Sequence, residues 1–140
     1  MFTRARDDYY NVMKMHLETS DQNLISNYGK GVLGINGQDF RSNILITRTR
    51  IIEDWFSGDL KSLTIAHFAP ILDDVEAVRP EIVLLGSGHL HIFPDFSLIS
   101  ELREHGIALE VMNTRAACRT YSVLVNEYRP VAAALIQIEE

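Results

Sequence analysis

The carboxy-terminal half of the chain alternates between short apolar runs and helical segments, and this order restricts the fold more than any other feature. Ile82-Val-Leu-Leu-Gly86 is a continuous apolar run that ends in glycine, which is typical of a strand buried on both faces. Helical spacing over 95–105, a second run over 107–112, a helix from 113 and a third run over 131–138 follow. This order predicts a βαβαβ unit with parallel strands and right-handed crossovers.

The amino-terminal half carries closely spaced signals for β-structure. Asn36-Gly37 is typical of a type I′ hairpin turn, which needs positive φ at both central residues. The predicted strands cover 24–28, 32–35, 38–40, 44–47, 50–55 and 63–68. Such short connections allow only antiparallel pairing. The sequence therefore predicts an α/β fold in which an antiparallel β half is followed by the βαβαβ half.

One helix is predicted between the last of these strands and the βαβαβ unit. Pro70 suits the first turn of a helix, and Asp73 and Asp74 favour its positive end. Apolar residues at helical spacing are Ile71, Leu72, Val75 and Val78. Arg79-Pro80 ends the helix.

Length and cysteine content predict the domain organisation and the compartment. Residues 16–140 are assigned to a single α/β domain, and residues 1–15, which show no clean apolar period, to a flexible extension. The single cysteine, Cys118, excludes an internal disulfide and a cysteine-built zinc site and fits a reducing compartment. The first residues lack the apolar core of a signal peptide, and no apolar run approaches the ~18 residues of a membrane span. We therefore expect a cytoplasmic protein without a membrane span.

The composition excludes several classes of partner. The formal net charge is −6, so no fold-wide basic surface for nucleic acid is expected, and an anionic membrane would repel the domain. The hydrophobic fraction of 46% and the charged fraction of 23% are ordinary for a globular protein, which argues against a disordered chain.

Two loops of the βαβαβ unit carry the residues most suited to binding. Ligands of open parallel sheets bind beyond the carboxyl ends of the strands, and loops after neighbouring strands lie side by side. Asn113 or Thr114 opens a helix whose free amides favour an anion, and Arg115 and Arg119 lie one turn apart. The candidate ligand-binding residues are Gly86, Ser87, Gly88, His89, Asn113, Thr114, Arg115 and Arg119. The alternative is that the glycines only turn the chain and the arginines form a solvated face.

Complete catalytic and cofactor motifs are not recognisable. Gly86-x-Gly88 starts like a dinucleotide fingerprint, but His91 occupies the place of the third glycine and no helix opens at once. His89 and His91 offer two metal ligands without a nearby third and fourth. Ser87 lacks the glycine pattern of a nucleophile elbow. We expect no metal, no cofactor and no catalytic residue.

Cys118 is the remaining candidate nucleophile. It lies in the first turn of a helix between Arg115 and Arg119, which would lower the pKa of its thiol. A thiolate also needs a general base, and only the distant His89 could supply one. The alternative is a buried, inert thiol, the usual state of a free cysteine.

Several motifs together resemble one known family. They are Leu84-Leu-Gly-Ser-Gly88, Glu110-Val-Met-Asn-Thr-Arg-Ala-Ala-Cys-Arg-Thr-Tyr121, Asn126-Glu-Tyr-Arg129 and Ala132-Ala-Ala-Leu135, with Asn23 to Gly29, Gly37 and Trp55. They resemble a widespread family of small, uncharacterised domains that includes the mitochondrial respiratory complex I assembly factor three, the adipogenesis-associated domain protein, and bacterial and archaeal members. The resemblance runs from about His16 to the end of the chain.

The resemblance implies a three-layer fold and, for some relatives, a role as an assembly or interaction factor. Ser87 and Ser122 depart from the threonine and asparagine that many relatives carry there, which weakens the case for a shared polar site. Two function classes follow. The first is a non-enzymatic binding or assembly module with another protein as its partner. The alternative is a domain that binds a small anion or metabolite at the 86–89 and 113–119 loops, with or without catalysis.

Overall fold

Two β-sheets and the helices that pack on them form the fold in the computed structural model, which describes residues 22–74 and 78–139. The strands are β1 (Ile25–Gly29), β2 (Val32–Ile35), β3 (Gln38–Phe40), β4 (Ile44–Ile46), β5 (Ile51–Ile52), β6 (Ile82–Gly86), β7 (Ala108–Met112) and β8 (Val131–Leu135). The α-helices are α1 (Ala69–Leu72), α2 (Phe96–Glu104) and α3 (Thr114–Asn126), and short 3₁₀ helices cover Leu60–Ser62 and Ile65–Phe68. Within the described ranges, no helix is long and apolar enough to cross a membrane. The extension predicted over residues 1–15 lies outside them.

The first sheet is an antiparallel meander of β1, β2 and β3. Asn36 and Gly37 join β2 to β3, and their φ angles of 54° and 82° are both positive, which confirms the predicted hairpin turn. The Asn36 side chain also accepts a hydrogen bond from the Leu24 amide at 2.9 Å. The turn residue therefore fixes the start of β1 as well as the reversal of the chain.

The second sheet contains strands from both halves of the chain, in the order β5-β4-β8-β6-β7 among the described residues. β6 pairs in parallel with β7 and with β8, as the βαβαβ pattern predicts. β4 pairs antiparallel with β8, and Ile44 lies opposite Leu135. The predicted α/β class, with an antiparallel half followed by parallel strands, is confirmed. The sequence did not indicate that β4 and β5 leave the first sheet and extend the second.

Two apolar cores lie on opposite faces of the second sheet, because neighbouring strand residues point to opposite faces. Leu84 and Ala133 face a core that the first sheet and α3 cover, with Leu33, Ile35, Phe40, Ala117, Tyr121 and Val125 among its residues. Val83 and Ala134 face the other core, where Trp55, Phe56, Phe68, Leu98 and Leu102 come from α2 and the segment before β6. The result is the three-layer arrangement that the family resemblance implied.

The strand predicted over 63–68 is wrong, because this segment contains the 3₁₀ helix Ile65–Phe68. The Thr64 amide donates to Nδ1 of His67 at 3.0 Å, which closes the first turn. The Trp55 indole then donates to the carbonyl of His67 at 2.7 Å. Local bonds of this kind compete with strand pairing and are invisible in an apolar pattern.

Two other elements are shorter than predicted. In the segment 50–55 only Ile51–Ile52 pair as a strand, and Asp54, with φ 48°, turns the chain away. Helix α1 ends at Leu72, so Asp73 lies after the helix and not in its first turn. Asp74 instead lies 3.5 Å from the guanidinium of Arg50. Val75, which the sequence assigned to this helix, lies outside the described residues.

Asn23 connects three parts of the fold through hydrogen bonds of its buried side chain and backbone. Its Nδ2 donates to the carbonyls of Thr47 and Arg50, both at 3.0 Å, and its Oδ1 accepts from Nδ2 of Asn36 at 2.9 Å. Its carbonyl accepts from the buried Tyr121 hydroxyl on α3 at 2.8 Å. Hydrogen bonds to Asn23 therefore connect helix α3, the hairpin and the turn after β4.

We predict that Tyr121→Phe lowers the free energy of unfolding by about 1–3 kcal/mol, because the substitution leaves the Asn23 carbonyl buried without its donor. Urea unfolding followed by circular dichroism measures the change. Tyr28→Phe is the matched control: Tyr28 is only partly buried, and its hydroxyl lies at 3.5 Å from the exposed Arg119. Equal stability of Tyr121→Phe and the wild type would contradict a structural role for this bond.

Candidate functional site

The two loops that the sequence singled out meet at the carboxyl ends of β6 and β7. The Ser87 amide donates to the carbonyl of Met112 at 2.8 Å, which continues the strand pairing by one residue. Beyond it, the Thr114 amide donates to the carbonyl of Gly88 at 2.9 Å. The predicted juxtaposition of 86–89 with the start of α3 is therefore present, and hydrogen bonds between the two loops maintain it.

Gly86 allows this contact because a larger residue would collide with Thr114. A Cβ on Gly86 would lie 2.9 Å from Cα of Thr114 and 3.1 Å from the Leu135 side chain. The first distance is shorter than real Cβ contacts allow, and a backbone atom has little freedom to move away. The absence of a side chain at 86 thus serves packing between strand and helix.

Thr114 is completely buried and bonds two neighbouring chain segments. Its Oγ1 donates to the carbonyl of Ile136 at 2.7 Å and accepts from the Gly88 amide at 2.8 Å. One amide in the first turn of the helix is also engaged, since Oδ1 of Asn113 accepts from the Ala116 amide at 2.9 Å. Asn113, one of the two predicted caps, is therefore the N-cap. These bonds reduce the number of amides that α3 can offer to an anion.

Ser87 organises the loop that follows β6. Its hydroxyl lies 2.6 Å from the carbonyl of Leu90, to which it donates, and it accepts from the Ile92 amide at 3.0 Å. Gly88 takes up the reversal with φ 96°. The buried Ser87 hydroxyl is thus used in closing a compact loop over 87–92.

A shallow hollow of about 250 Å³ lies beside this loop. Ser87, Gly88, His89, Leu90, Ile92, Ile136, Gln137 and Glu139 line it. Oε1 of Gln137 is buried and has no hydrogen-bond partner among the described residues, whereas its Nε2 donates to the carbonyls of Phe40 and Ser42. Ser87, Gly88 and His89 therefore open onto this hollow, whose lining includes neither Arg115 nor Arg119.

The two arginines lie on the first two turns of α3. Arg119 is exposed and its guanidinium is 3.5 Å from the Tyr28 hydroxyl, while Arg115 is half-buried. Their spacing is the one the sequence predicted, on a helix of 13 residues. Binding of an anion here stays a prediction.

Cys118 is buried beneath these arginines. Burial raises the pKa of its thiol from 9.0 to about 12, and the smaller opposing effects of Arg119 and Arg115 do not compensate. The expectation of a lowered thiol pKa is therefore wrong, and the alternative of a buried thiol is correct. Desolvation outweighs charge because the sulfur lies in the core between α3 and the sheet.

The histidines take different positions. His91 packs its ring against Phe93 with a centroid distance of 4.8 Å, and His89 borders the hollow beside Glu139. Among residues 22–74 and 78–139, no three His, Cys, Asp or Glu side chains lie close enough together to hold a metal ion.

The loop between β6 and α2 exposes a group of large apolar side chains that the sequence analysis did not single out. Leu90, Ile92, Phe93 and Phe96, here called the apolar ridge, are 62%, 45%, 50% and 73% exposed. Phe93 and Phe96 stack with centroids 6.3 Å apart. A second hollow, of about 390 Å³, lies between this pair and Lys61. The signal in the sequence is the apolar content of the segment 90–96, which Pro94 interrupts.

We predict that Cys118 in the folded protein does not react with Ellman's reagent at pH 8, because its raised pKa keeps the thiol protonated and burial blocks access. The chain unfolded in guanidinium should react fully, and Cys118→Ser serves as the background control. Since the folded-state pKa lies above the unfolded one, the stability linked to the neutral thiol is present below about pH 9 and is lost as pH rises toward 12. Rapid labelling of the native protein would refute this.

Comparisons with known proteins agree with the fold and its sequence motifs. The chain is 30% identical over 110 residues to the "13 kDa major membrane protein" of Francisella tularensis, covering 78% of this chain and 86% of that protein. It is 28% identical over 125 residues to the NADH dehydrogenase (ubiquinone) 1 alpha subcomplex assembly factor 3 of Xenopus tropicalis, covering 89% and 67%. A crystal structure of a Bordetella parapertussis protein superposes with a TM-score of 0.73 at 26% identity, covering 83% and 96%. Residues 25–136 match the family model described as "Protein of unknown function (DUF498/DUF598)", and the chain belongs to this family.

Proposed function

We propose that this protein is a non-enzymatic binding module that contacts another protein during the assembly of a complex, and that the apolar ridge makes the contact. The observation that carries the proposal is the exposure of four large apolar side chains within seven residues, from Leu90 to Phe96. Single exposed apolar residues are common on protein surfaces, whereas contiguous groups mark binding sites.

The composition of the ridge supports a protein partner. Phenylalanine and other aromatic residues are enriched at protein interfaces, where they bring a large contact area at a small cost in conformational entropy. Phe93 and Phe96 already stack on each other, so part of their ordering is complete before a partner arrives. One relative carries the name of an assembly factor, which is a role of the same class.

Hydrogen bonds to its backbone fix the conformation of the loop that carries the ridge. The hydroxyl of Ser87 bonds to backbone groups of Leu90 and Ile92, and the Gly88 amide and carbonyl both bond to Thr114. A surface that is fixed before binding loses little entropy when it docks. A preformed surface of this kind favours binding of a specific partner over non-specific hydrophobic association.

We predict that a photo-reactive phenylalanine analogue at position 93 or 96 forms one discrete adduct with the same protein in lysate of the source organism. The ridge should bring these positions into direct contact with the partner, because both side chains project from the loop. Val123 on α3 is 54% exposed and serves as the control position of comparable accessibility. Gel analysis with mass spectrometry identifies the adducts.

The same adduct should disappear when Leu90→Ser and Ile92→Ser are combined, since both substitutions remove apolar contact area from the ridge. Circular dichroism of this variant checks that the fold persists. Equal adduct yields at 96 and 123, or no adduct at either ridge position, would rule out the ridge as the contact surface.

The alternative function is binding of a small anion by the first turns of α3. Exposed Arg119 and half-buried Arg115 lie one turn apart directly after β7, which favours this candidate. Because the chain carries a net charge of −6, we predict weak binding that depends on local geometry.

Phosphate titration followed by amide NMR tests it: shifts should be confined to 86–89 and 113–119 and be lost in the variant that combines Arg115→Ala with Arg119→Ala. An unchanged spectrum at millimolar phosphate would eliminate the site.

The cytoplasmic location expected from the single cysteine likewise stays a prediction.

A further inference from the structure

We infer that the partner presents to the apolar ridge a short segment that combines apolar side chains with at least one lysine or arginine. This inference rests on the proposed function and specifies the chemistry of the partner. Two features of the described surface carry it: the limited area of the ridge, and the charges that border the two hollows beside it.

The area of the ridge suits a segment better than a second folded copy of this chain. A fully buried phenylalanine contributes about 150–250 Å², so Phe93 and Phe96, at 50% and 73% exposure, offer on the order of 200–300 Å² together. The exposed areas of Leu90 and Ile92 together add less than that of the two phenylalanines. Stable pairing of two globular surfaces needs roughly 800 Å² from each partner. The ridge falls short of that area and matches the anchor contacts of a peptide.

The two hollows provide places for the side chains of such a segment. One lies between Lys61 and the Phe93–Phe96 stack, and the other between the 87–92 loop and the stretch that contains Ile136 and Glu139. They have volumes of about 390 and 250 Å³, each large enough for one or two side chains. Leu90 and Ile92 line one hollow, and Phe93 and Phe96 line the other, so we expect a segment that crosses the ridge to reach both.

The charges at these hollows favour a basic segment. The hollow beside Leu90 and Ile92 is bordered by the exposed carboxylate of Glu139, and the other by Asp95 and Lys61. Asp95 shares its hollow with the cationic Lys61, whereas no described lysine or arginine lines the hollow of Glu139, which makes Glu139 the better carboxylate for a basic partner. The net charge of −6 over the whole chain adds a long-range attraction for cations. We therefore expect the basic residue of the partner to contact the carboxylate of Glu139.

Short fluorescent peptides of three compositions test the inference with the full chain: leucine with lysine, leucine with glutamate, and serine with lysine. Fluorescence polarisation should detect binding of the leucine–lysine peptide. Glu139→Gln should weaken it up to about fivefold, as expected for an exposed ion pair. Leu90→Ser combined with Ile92→Ser should weaken it about tenfold or more. Glu127→Gln removes an exposed carboxylate at the far end of α3 and should bind as the wild type does.

The other outcomes overturn the inference in distinguishable ways. Equal binding of the leucine–lysine and leucine–glutamate peptides, or equal weakening by Glu127→Gln, would show that Glu139 selects no charge. Binding to phosphatidylcholine–phosphatidylglycerol vesicles in preference to any peptide would identify a lipid surface as the occupant. If no peptide binds while cross-linking from position 96 still yields a discrete adduct, the segment chemistry is wrong and the proposed function stands. If both fail, both are wrong.

Discussion

The fold depends on β8, the strand at the centre of the second sheet. All five residues of Val131–Leu135 are buried, and the strand pairs antiparallel with β4 on one side and in parallel with β6 on the other. Ala132, Ala133 and Ala134 are small, which lets the layers on both faces approach the sheet closely. The antiparallel and parallel halves of the chain share one sheet only because this strand joins them. The positions of α3 and of the 87–96 loop follow from its register.

The sequence predicted the elements whose signals are local. The apolar runs of β6, β7 and β8, the helices α2 and α3 that connect them, and the Asn36-Gly37 turn depend on neighbouring residues, and each is present. The pairing of β4 with β8 joins residues about ninety positions apart, and nothing in a single sequence specifies such a partner. The strand expected over 63–68 is wrong because its apolar residues also suit a 3₁₀ helix, whose His67 carbonyl bonds to Trp55.

The candidate site divides in the same way. Parallel pairing was enough to predict that 86–89 meets the start of α3, and the structure brings these loops together. Which polar groups remain able to bind a ligand depends on the hydrogen bonds of the folded chain. Ser87 bonds within its own loop and Thr114 bonds to Ile136 on a distant segment, and the sequence pattern indicates neither bond. Exposure is also a property of the folded surface. From the sequence alone, the apolar residues of the ridge would be predicted to be buried. The structure shows that they are exposed, between β6 and the start of α2.

Ser87 and Thr114 fix the backbone of the 87–92 loop, whereas other residues supply the side chains that the loop exposes. Both hydroxyls bond to main-chain groups of Gly88, Leu90 and Ile92, and none of these bonds uses the side chain of a displayed residue. Side chains along the ridge are therefore free to change in size and polarity while the loop keeps its path. A lineage can acquire a new partner here by a few substitutions, and a protein engineer can graft a foreign recognition sequence at the same place.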